Sequence, residues 1–134
     1  MNWQKVFWGW ELKKFLQLLS DPSNILIVYG SLAPEQSNHH IVKDIAGKWR
    51  KGMINGKLVK ITTGAYKGYL AYVREDDQVE EIKVDILFSK ELVSHWKRLD
   101  EFEGEGYVRA LAKFQLDNGE TGKGYLYELN KCFS

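Results

Sequence analysis

Two short segments, each containing glycine, carry residue types suited to chemistry. The first is residues 29–34, Tyr-Gly-Ser-Leu-Ala-Pro. Gly30 permits a tight turn that leaves the following backbone N–H groups free to point into a cavity. Such a cluster of N–H groups suits an anion, although a purely structural turn between a strand and the next element is the alternative.

The second segment is residues 100–106, where acids occupy four of the first six positions. Crowding carboxylates together, or burying one of them, raises a carboxyl pKa toward neutrality and produces a group that can transfer protons. A solvated acidic loop is the alternative interpretation of the same residues.

Two further features invite a chemical interpretation and are discounted. His39 and His40 are adjacent, so on a helix their side chains diverge by about 100° and cannot readily share a small ligand. Two adjacent histidines do not by themselves supply the ligands of a metal site, so we expect none, and one histidine could instead order the turn at residues 29–34. Cys132, the only cysteine, has no neighbouring helix N-terminus to lower its pKa, and we do not expect it to act as a nucleophile.

Composition limits the function classes further. The length of 134 residues fits one domain, spanning residues 1–134. Lys and Arg number 19 against 18 Asp and Glu, so there is no overall basic field for nucleic acid. A single cysteine excludes an intrachain disulfide and favours a reducing, cytoplasmic location. The longest apolar run, residues 25–29, is far shorter than the roughly 20 residues that span a bilayer, so we expect no membrane partner.

The N-terminal segment, residues 1–22, has the pattern of an amphipathic helix. Its apolar residues recur at steps of three and four, and Trp3, Phe7 and Trp10 are among them. Asp21 and Pro22 end the pattern. The helix is expected to pack on its own domain, and a homodimer contact is the alternative.

The next segments position the first candidate site. Residues 25–29 are β-branched and uninterrupted, which predicts a strand buried on both faces. After the turn at residues 29–34, Ser37 is a candidate cap for a short helix that reaches about Lys43. Asn55 and Gly56 predict a two-residue hairpin turn between strands at residues 49–54 and 57–61.

Strands dominate the remainder of the chain. Residues 68–73 and 82–88 read as strands, and Ser89 can cap a helix that runs into the acidic segment. Residues 107–116 and 123–129 are expected to pair as a closing hairpin. The sum is an α+β fold, with about six strands in a small mixed sheet that is closed or strongly curved into a β-barrel, and two or three flanking helices.

Three segments together resemble a known family. They are residues 28–34, the Gly-Tyr-Leu at residues 68–70, and residues 99–109, Leu-Asp-Glu-Phe-Glu-Gly-Glu-Gly-Tyr-Val-Arg. Their order and spacing are similar to those of the γ-glutamylcyclotransferase-like family. The resemblance covers residues 25–129, so only the N-terminal helix lies outside it.

This resemblance implies an enzyme of the acyltransferase or lyase type, whose pocket in a compact mixed β-barrel releases 5-oxoproline from a γ-glutamyl amine or amino acid. It implies no cofactor and no metal. By the same resemblance, the backbone N–H groups of Tyr29, Gly30, Ser31 and Leu32 are expected to hold the substrate's α-carboxylate. The resemblance also implies that the catalytic acid is Glu103, which precedes the glycine of the motif, and neither Glu101 nor Glu105.

Elementary chemistry agrees with these separate roles for the backbone N–H groups and Glu103. The substrate's α-amine has a pKa of roughly 8 and must lose a proton before it can attack a carbonyl. Glu103 can accept that proton and later return it to the departing amine. Tyr107 and Arg109 follow as a hydroxyl donor and a cation that either line the pocket or lie in the sheet.

Some questions stay open at this point. Glu35 stands where relatives commonly have glycine, which could narrow or recharge the mouth of the pocket. The identity of the leaving amine is not fixed by the sequence. The alternative function is a non-catalytic module that binds γ-glutamyl or other carboxylate ligands or docks a partner, with Trp3, Phe7 and Trp10 as its working surface.

Overall fold

The structure, a computed structural model, describes residues 21–74 and 80–131. The predicted helix over residues 1–22, and with it the predicted dimer contact, lies outside this part except at its end. There Asp21 accepts a hydrogen bond of 3.0 Å from the Ser23 N–H and caps a 3₁₀ helix at Pro22–Asn24. Within the described residues, no helix combines the length and apolar character needed to cross a membrane.

Six strands and one α-helix make up most of the described chain. The strands are β1 (Ile25–Val28), β2 (Lys48–Lys60), β3 (Leu70–Val73), β4 (Glu80–Phe88), β5 (Tyr107–Leu116) and β6 (Thr121–Leu129). The helix α1 spans Trp96–Glu103, and further 3₁₀ helices lie at His39–Ile41 and Lys90–Ser94. The predicted α+β class is confirmed.

The strands close into a barrel. β4 pairs antiparallel with β1 and β2, β2 with β5, and β5 with β6, while β6 returns to β1 in parallel through Leu26 and Tyr125. β3 joins β2 to β6 outside this ring. Gly52 lies where β2 meets β5, and a Cβ there would come within 2.6 Å of the Gln115 carbonyl oxygen. The predicted closed, mixed sheet is therefore confirmed.

Two apolar clusters flank β1, which explains its uninterrupted apolar sequence. Ile25 and Ile27 point into the barrel interior, whereas Leu26 and Val28 pack toward α1 and the 3₁₀ helices. All four residues are buried, as predicted for a strand with both faces covered. This rigid strand ends directly at the turn of residues 29–34.

The predicted hairpin at Asn55 and Gly56 is wrong. β2 continues through both residues as one strand of 13 residues. The Tyr72 ring lies against Gly56, where a Cβ would overlap it, and the Tyr72 hydroxyl donates to the Asn55 carbonyl at 2.6 Å. Gly56 is thus required by a side chain from β3 and not by a turn. The hairpin turn lies instead at residues 61–69, between β2 and β3.

Smaller corrections concern the helices and strand ends. The helix expected from Ser37 to Lys43 is a single 3₁₀ turn at His39–Ile41 with no side-chain cap. The strand expected at residues 68–73 begins only at Leu70, because Gly68, at φ 93°, belongs to the preceding turn. The strand at residues 82–88, the Ser89 cap and the closing hairpin are confirmed.

Candidate active site

One cavity of about 890 Å³ collects the predicted site residues. It lies where the turn after β1, the loop at residues 61–69, the end of α1 and the start of β5 meet. Its lining includes every residue that the sequence proposes for catalysis or substrate binding: Tyr29, Gly30, Ser31, Leu32, Glu103 and Tyr107. β4 adds Lys83 and Asp85 to the same lining.

The turn after β1 leaves backbone donors available. The Ala33 N–H donates to the Gly30 carbonyl at 3.0 Å and closes the turn. The Asn38 N–H donates to the Ser31 carbonyl at 2.9 Å, and the Asn38 side-chain amide donates to Ser31 Oγ at 2.9 Å. Among the described residues, no acceptor is found for the N–H groups of Gly30, Ser31 and Leu32. These three donors line the cavity and can receive an anionic ligand.

His39 contributes to the conformation of this turn. Its Nδ1 lies 2.9 Å from the Leu32 carbonyl oxygen, and because a carbonyl only accepts, Nδ1 carries the proton. The ring also packs on Trp49, with 5.4 Å between centroids. Over residues 21–74 and 80–131, no group of three or more His, Cys, Asp or Glu side chains is placed to hold a metal ion.

Glu35 takes an uncommon backbone conformation. Its φ is 69°, in the left-handed region that favours glycine, and its side chain is exposed. A residue with a Cβ adopts this conformation at an energetic cost of about 1 kcal/mol.

Glu103 is the last residue of α1 and faces the cavity. Gly104 ends the helix because it adopts φ 76°, and its N–H donates to the Asp100 carbonyl at 3.0 Å. The Glu103 side chain is largely buried and makes no hydrogen bond or ion pair with the described residues. This burial raises the pKa of the Glu103 carboxyl from 4.5 to about 7. At neutral pH the group is poised both to take and to give a proton.

Tyr66 covers the turn that follows Glu103, a role not anticipated from the sequence. Its ring lies against Gly104 and Gly106, and a Cβ at Gly106 would come within 2.8 Å of the ring. The ring also meets Tyr107 edge to face, with 5.7 Å between centroids. The two glycines that flank Glu105 are therefore the sequence signal of an aromatic neighbour.

The tyrosines at the base of the cavity are hydrogen-bonded within the barrel. The Tyr29 hydroxyl donates to the Tyr127 carbonyl and accepts from the Tyr72 N–H at 3.0 Å. The Tyr107 hydroxyl donates to the Leu70 carbonyl at 2.8 Å. Burial raises the pKa of Tyr29, and burial together with the nearby Glu103 carboxyl raises that of Tyr107 to about 12. Both hydroxyls stay protonated, and their donor protons are committed to backbone carbonyls.

Arg109 lies on the other side of α1. Its guanidinium pairs with the Asp100 carboxylate, with 3.1 Å from Nε to Oδ1, and stacks 4.6 Å above the Trp96 ring. Asp100 also accepts a hydrogen bond of 2.6 Å from the Tyr127 hydroxyl. Arg109 lines a second cavity of about 670 Å³ and not the first. Of the two residues considered beside Glu103, only Tyr107 reaches the main cavity.

Comparison with known proteins gives a match to a protein-family model. The model of the family described as gamma-glutamyl cyclotransferase, AIG2-like, matches residues 26–133. A search of curated proteins finds no match to the sequence.

Solved structures share the fold. YkqA from Bacillus subtilis is 25% identical to this chain, with a TM-score of 0.62. The match covers 80% of this chain and 36% of YkqA, so this chain spans little more than a third of YkqA. An AIG2-like protein from Mus musculus is 17% identical with a TM-score of 0.58, covering 83% of this chain and 79% of its own. A protein described as a gamma-glutamyl cyclotransferase is 18% identical with a TM-score of 0.54, covering 79% of this chain and 66% of its own. The last two likenesses establish the fold alone.

Proposed function

The chain belongs to the gamma-glutamyl cyclotransferase, AIG2-like family, and from this membership we propose that it releases 5-oxoproline from a γ-glutamyl amine or amino acid. One observation carries the proposal. Glu103, whose carboxyl pKa is raised to about 7, shares a single cavity with the available N–H groups of Gly30, Ser31 and Leu32. A proton-transfer group and an anion site are thus available to one small ligand.

Binding places the α-carboxylate of the substrate against those N–H groups. Lys83 lines the same cavity and adds a positive charge to it. Charge-assisted hydrogen bonds of this kind are stronger than those between neutral groups. The carboxylate therefore fixes one end of the glutamyl unit.

Glu103 then starts the reaction as a base. It removes a proton from the α-ammonium group, and the amine attacks the γ-carbonyl of the same molecule to close a five-membered ring. Because both groups belong to one folded substrate, proximity lowers the barrier by several kcal/mol without a covalent enzyme intermediate.

Glu103 completes the reaction as an acid. It gives its proton to the departing nitrogen as the carbon–nitrogen bond breaks. The attacking nitrogen loses two protons in all, and the leaving amine gains two and departs as an ammonium ion. A carboxyl with a pKa of about 7 serves both directions of transfer at neutral pH.

The test measures 5-oxoproline released from γ-glutamyl amides, peptides and polyamines. Glu103→Gln should retain the fold and lower kcat by about 100-fold or more, since general acid–base catalysis contributes that much. Glu101→Gln and Glu105→Gln are matched controls, because both side chains are exposed and neither lines the cavity. Activity that survives in Glu103→Gln contradicts the proposal. Ligand-dependent stabilisation of the wild-type protein without product favours the alternative, a non-catalytic carboxylate-binding module.

A further inference from the structure

Large apolar side chains gather at the mouth of the catalytic cavity. Within the described residues, those exposed to solvent are Tyr69, Leu70, Val93, Phe102, Val108 and Leu111. Three of them, Tyr69, Leu70 and Phe102, line this one cavity, with exposed fractions of 54%, 45% and 41%. Apolar surface left uncovered beside a catalytic group commonly marks a ligand contact.

Three different elements build this apolar rim, which is defined as Tyr69, Leu70 and Phe102. Tyr69 ends the loop at residues 61–69, Leu70 begins β3, and Phe102 precedes Glu103 on α1. The Tyr107 hydroxyl holds the Leu70 carbonyl at 2.8 Å, and the Ile61 N–H holds the Tyr69 carbonyl at 2.9 Å. The rim is therefore fixed by the barrel.

Burial differs across the lining of the cavity. Val28 and Leu32, at the two ends of the turn that supplies the N–H groups, are buried, whereas the rim is exposed. Glu103 directly follows Phe102 of the rim on α1. A γ-glutamyl group anchored by its α-carboxylate and reacting at Glu103 directs its leaving amine toward the rim.

The size of the cavity supports a large leaving group. Its volume of about 890 Å³ lies in the upper part of the range that holds drug-sized ligands, about 300–1,000 Å³. A γ-glutamyl unit alone is much smaller than such a ligand. The remaining space is bounded on one side by the apolar rim and the rings of Tyr66 and Tyr107.

Charge on the cavity wall disfavours a cationic leaving group. Asp85 is already paired with Lys51 at 2.6 Å, and Lys83 contributes a positive charge. The rim itself carries no charged side chain. Among the described residues that line the cavity, a primary ammonium or polyamine at the rim therefore finds no free carboxylate other than Glu103.

Resting on the proposed function, we propose that Tyr69, Leu70 and Phe102 form a leaving-group subsite for amines and amino acids with a large aromatic or branched apolar body. Such a group covers the rim and is held by the removal of apolar surface from water. This assigns a substrate class to the same catalytic site.

Two matched substrates test the subsite. γ-Glutamylphenylalanine and γ-glutamylglycine differ only in the apolar side chain of the leaving amino acid, and γ-glutamylputrescine supplies a cationic competitor. We expect kcat/KM for γ-glutamylphenylalanine to exceed that for γ-glutamylglycine by at least about tenfold, as an apolar pocket discriminates on this scale. Tyr69→Ala and Phe102→Ala should each lower the ratio of the two values several-fold. Val93→Ala, which removes an exposed side chain that does not line the cavity, should leave the ratio unchanged.

Calorimetric binding to Glu103→Gln separates this proposal from the catalytic one. If that variant binds γ-glutamylphenylalanine more tightly than γ-glutamylglycine, the result supports the subsite. A failure of every substrate to yield 5-oxoproline would overturn only the proposed function. Equal binding and equal turnover of the two compounds overturn the subsite. Preference for γ-glutamylputrescine also overturns it.

Discussion

Asp100 and Glu103 lie one turn apart on α1 and have opposite surroundings. Asp100 points to the smaller cavity, where it pairs with the Arg109 guanidinium at 3.1 Å and accepts from the Tyr127 hydroxyl at 2.6 Å. Glu103 points to the larger cavity, where no described side chain pairs with it and burial raises its carboxyl pKa to about 7.

The contrast shows how one acidic segment serves structure and chemistry together. The Asp100 carboxylate, through its contacts with a cation and a hydroxyl, ties α1 to β5 and β6. A carboxylate buried without them favours its neutral form, which costs stability when it ionises but places its proton affinity near neutral pH. The partners, and not the crowding of acids in the sequence, separate the two roles.

The largest expected effect concerns the stability cost of Glu103. Its carboxyl titrates near 4.5 when unfolded and near 7 when folded, so the folded protein binds more protons between these values. Stability is therefore lost as the pH rises through this interval and stays constant above it. Glu103→Gln, which does not titrate, should be more stable than wild type by up to about 3 kcal/mol at pH 8 and by almost nothing at pH 4.

Denaturant unfolding of both proteins at several pH values measures this difference. Glu101→Gln, at an exposed position of the same helix, should show no comparable gain at pH 8. A difference between wild type and Glu103→Gln that does not change with pH contradicts the burial argument.

The same chemical change at Asp100 should act in the opposite direction and more weakly. Asp100→Asn keeps an oxygen that accepts from Tyr127 but removes the charge that pairs with Arg109. Because both side chains are partly exposed, the loss of stability at pH 7 should be about 0.5–1 kcal/mol. A gain in stability would sink the distinction between the two carboxylates. Repetition in high salt, which screens the pair, should shrink the loss.

Local pattern predicted the strands but not every connection between them. The alternation along β4 and the turn between β5 and β6 are readable because each depends on neighbouring residues. Asn55 and Gly56 wrongly predict a hairpin turn because the glycine serves a long-range contact. Gly56 lacks a side chain so that the Tyr72 ring from another strand can pack against it. Such a requirement exists only after β2 and β3 have paired.

The candidate site divides in the same way. The turn at residues 29–34 and Glu103 are identifiable because a glycine marks each motif, Gly30 directly after an apolar run and Gly104 directly after Glu103. Tyr66 and Tyr127 were missed, since they come from distant segments that meet α1 only when the barrel closes. Arg109 was considered for the pocket, but its place on the strand directs it to Asp100.

Replacement of Tyr66 should have the smallest effect and is the most specific test of the contrast between Asp100 and Glu103. It is expected to change the burial of Glu103 without adding or removing a charge. Its ring covers Gly104 and Gly106 and forms part of the cavity wall. Tyr66→Ala should admit water near Glu103 and lower its pKa from about 7, whereas Tyr66→Phe keeps the ring and serves as the control. The acidic limb of kcat/KM against pH, which lies near 7 for a base of this pKa, should move down by less than about one unit in Tyr66→Ala. If the pH of the acidic limb does not change and only KM rises, Tyr66 contacts the substrate and other groups exclude water from Glu103.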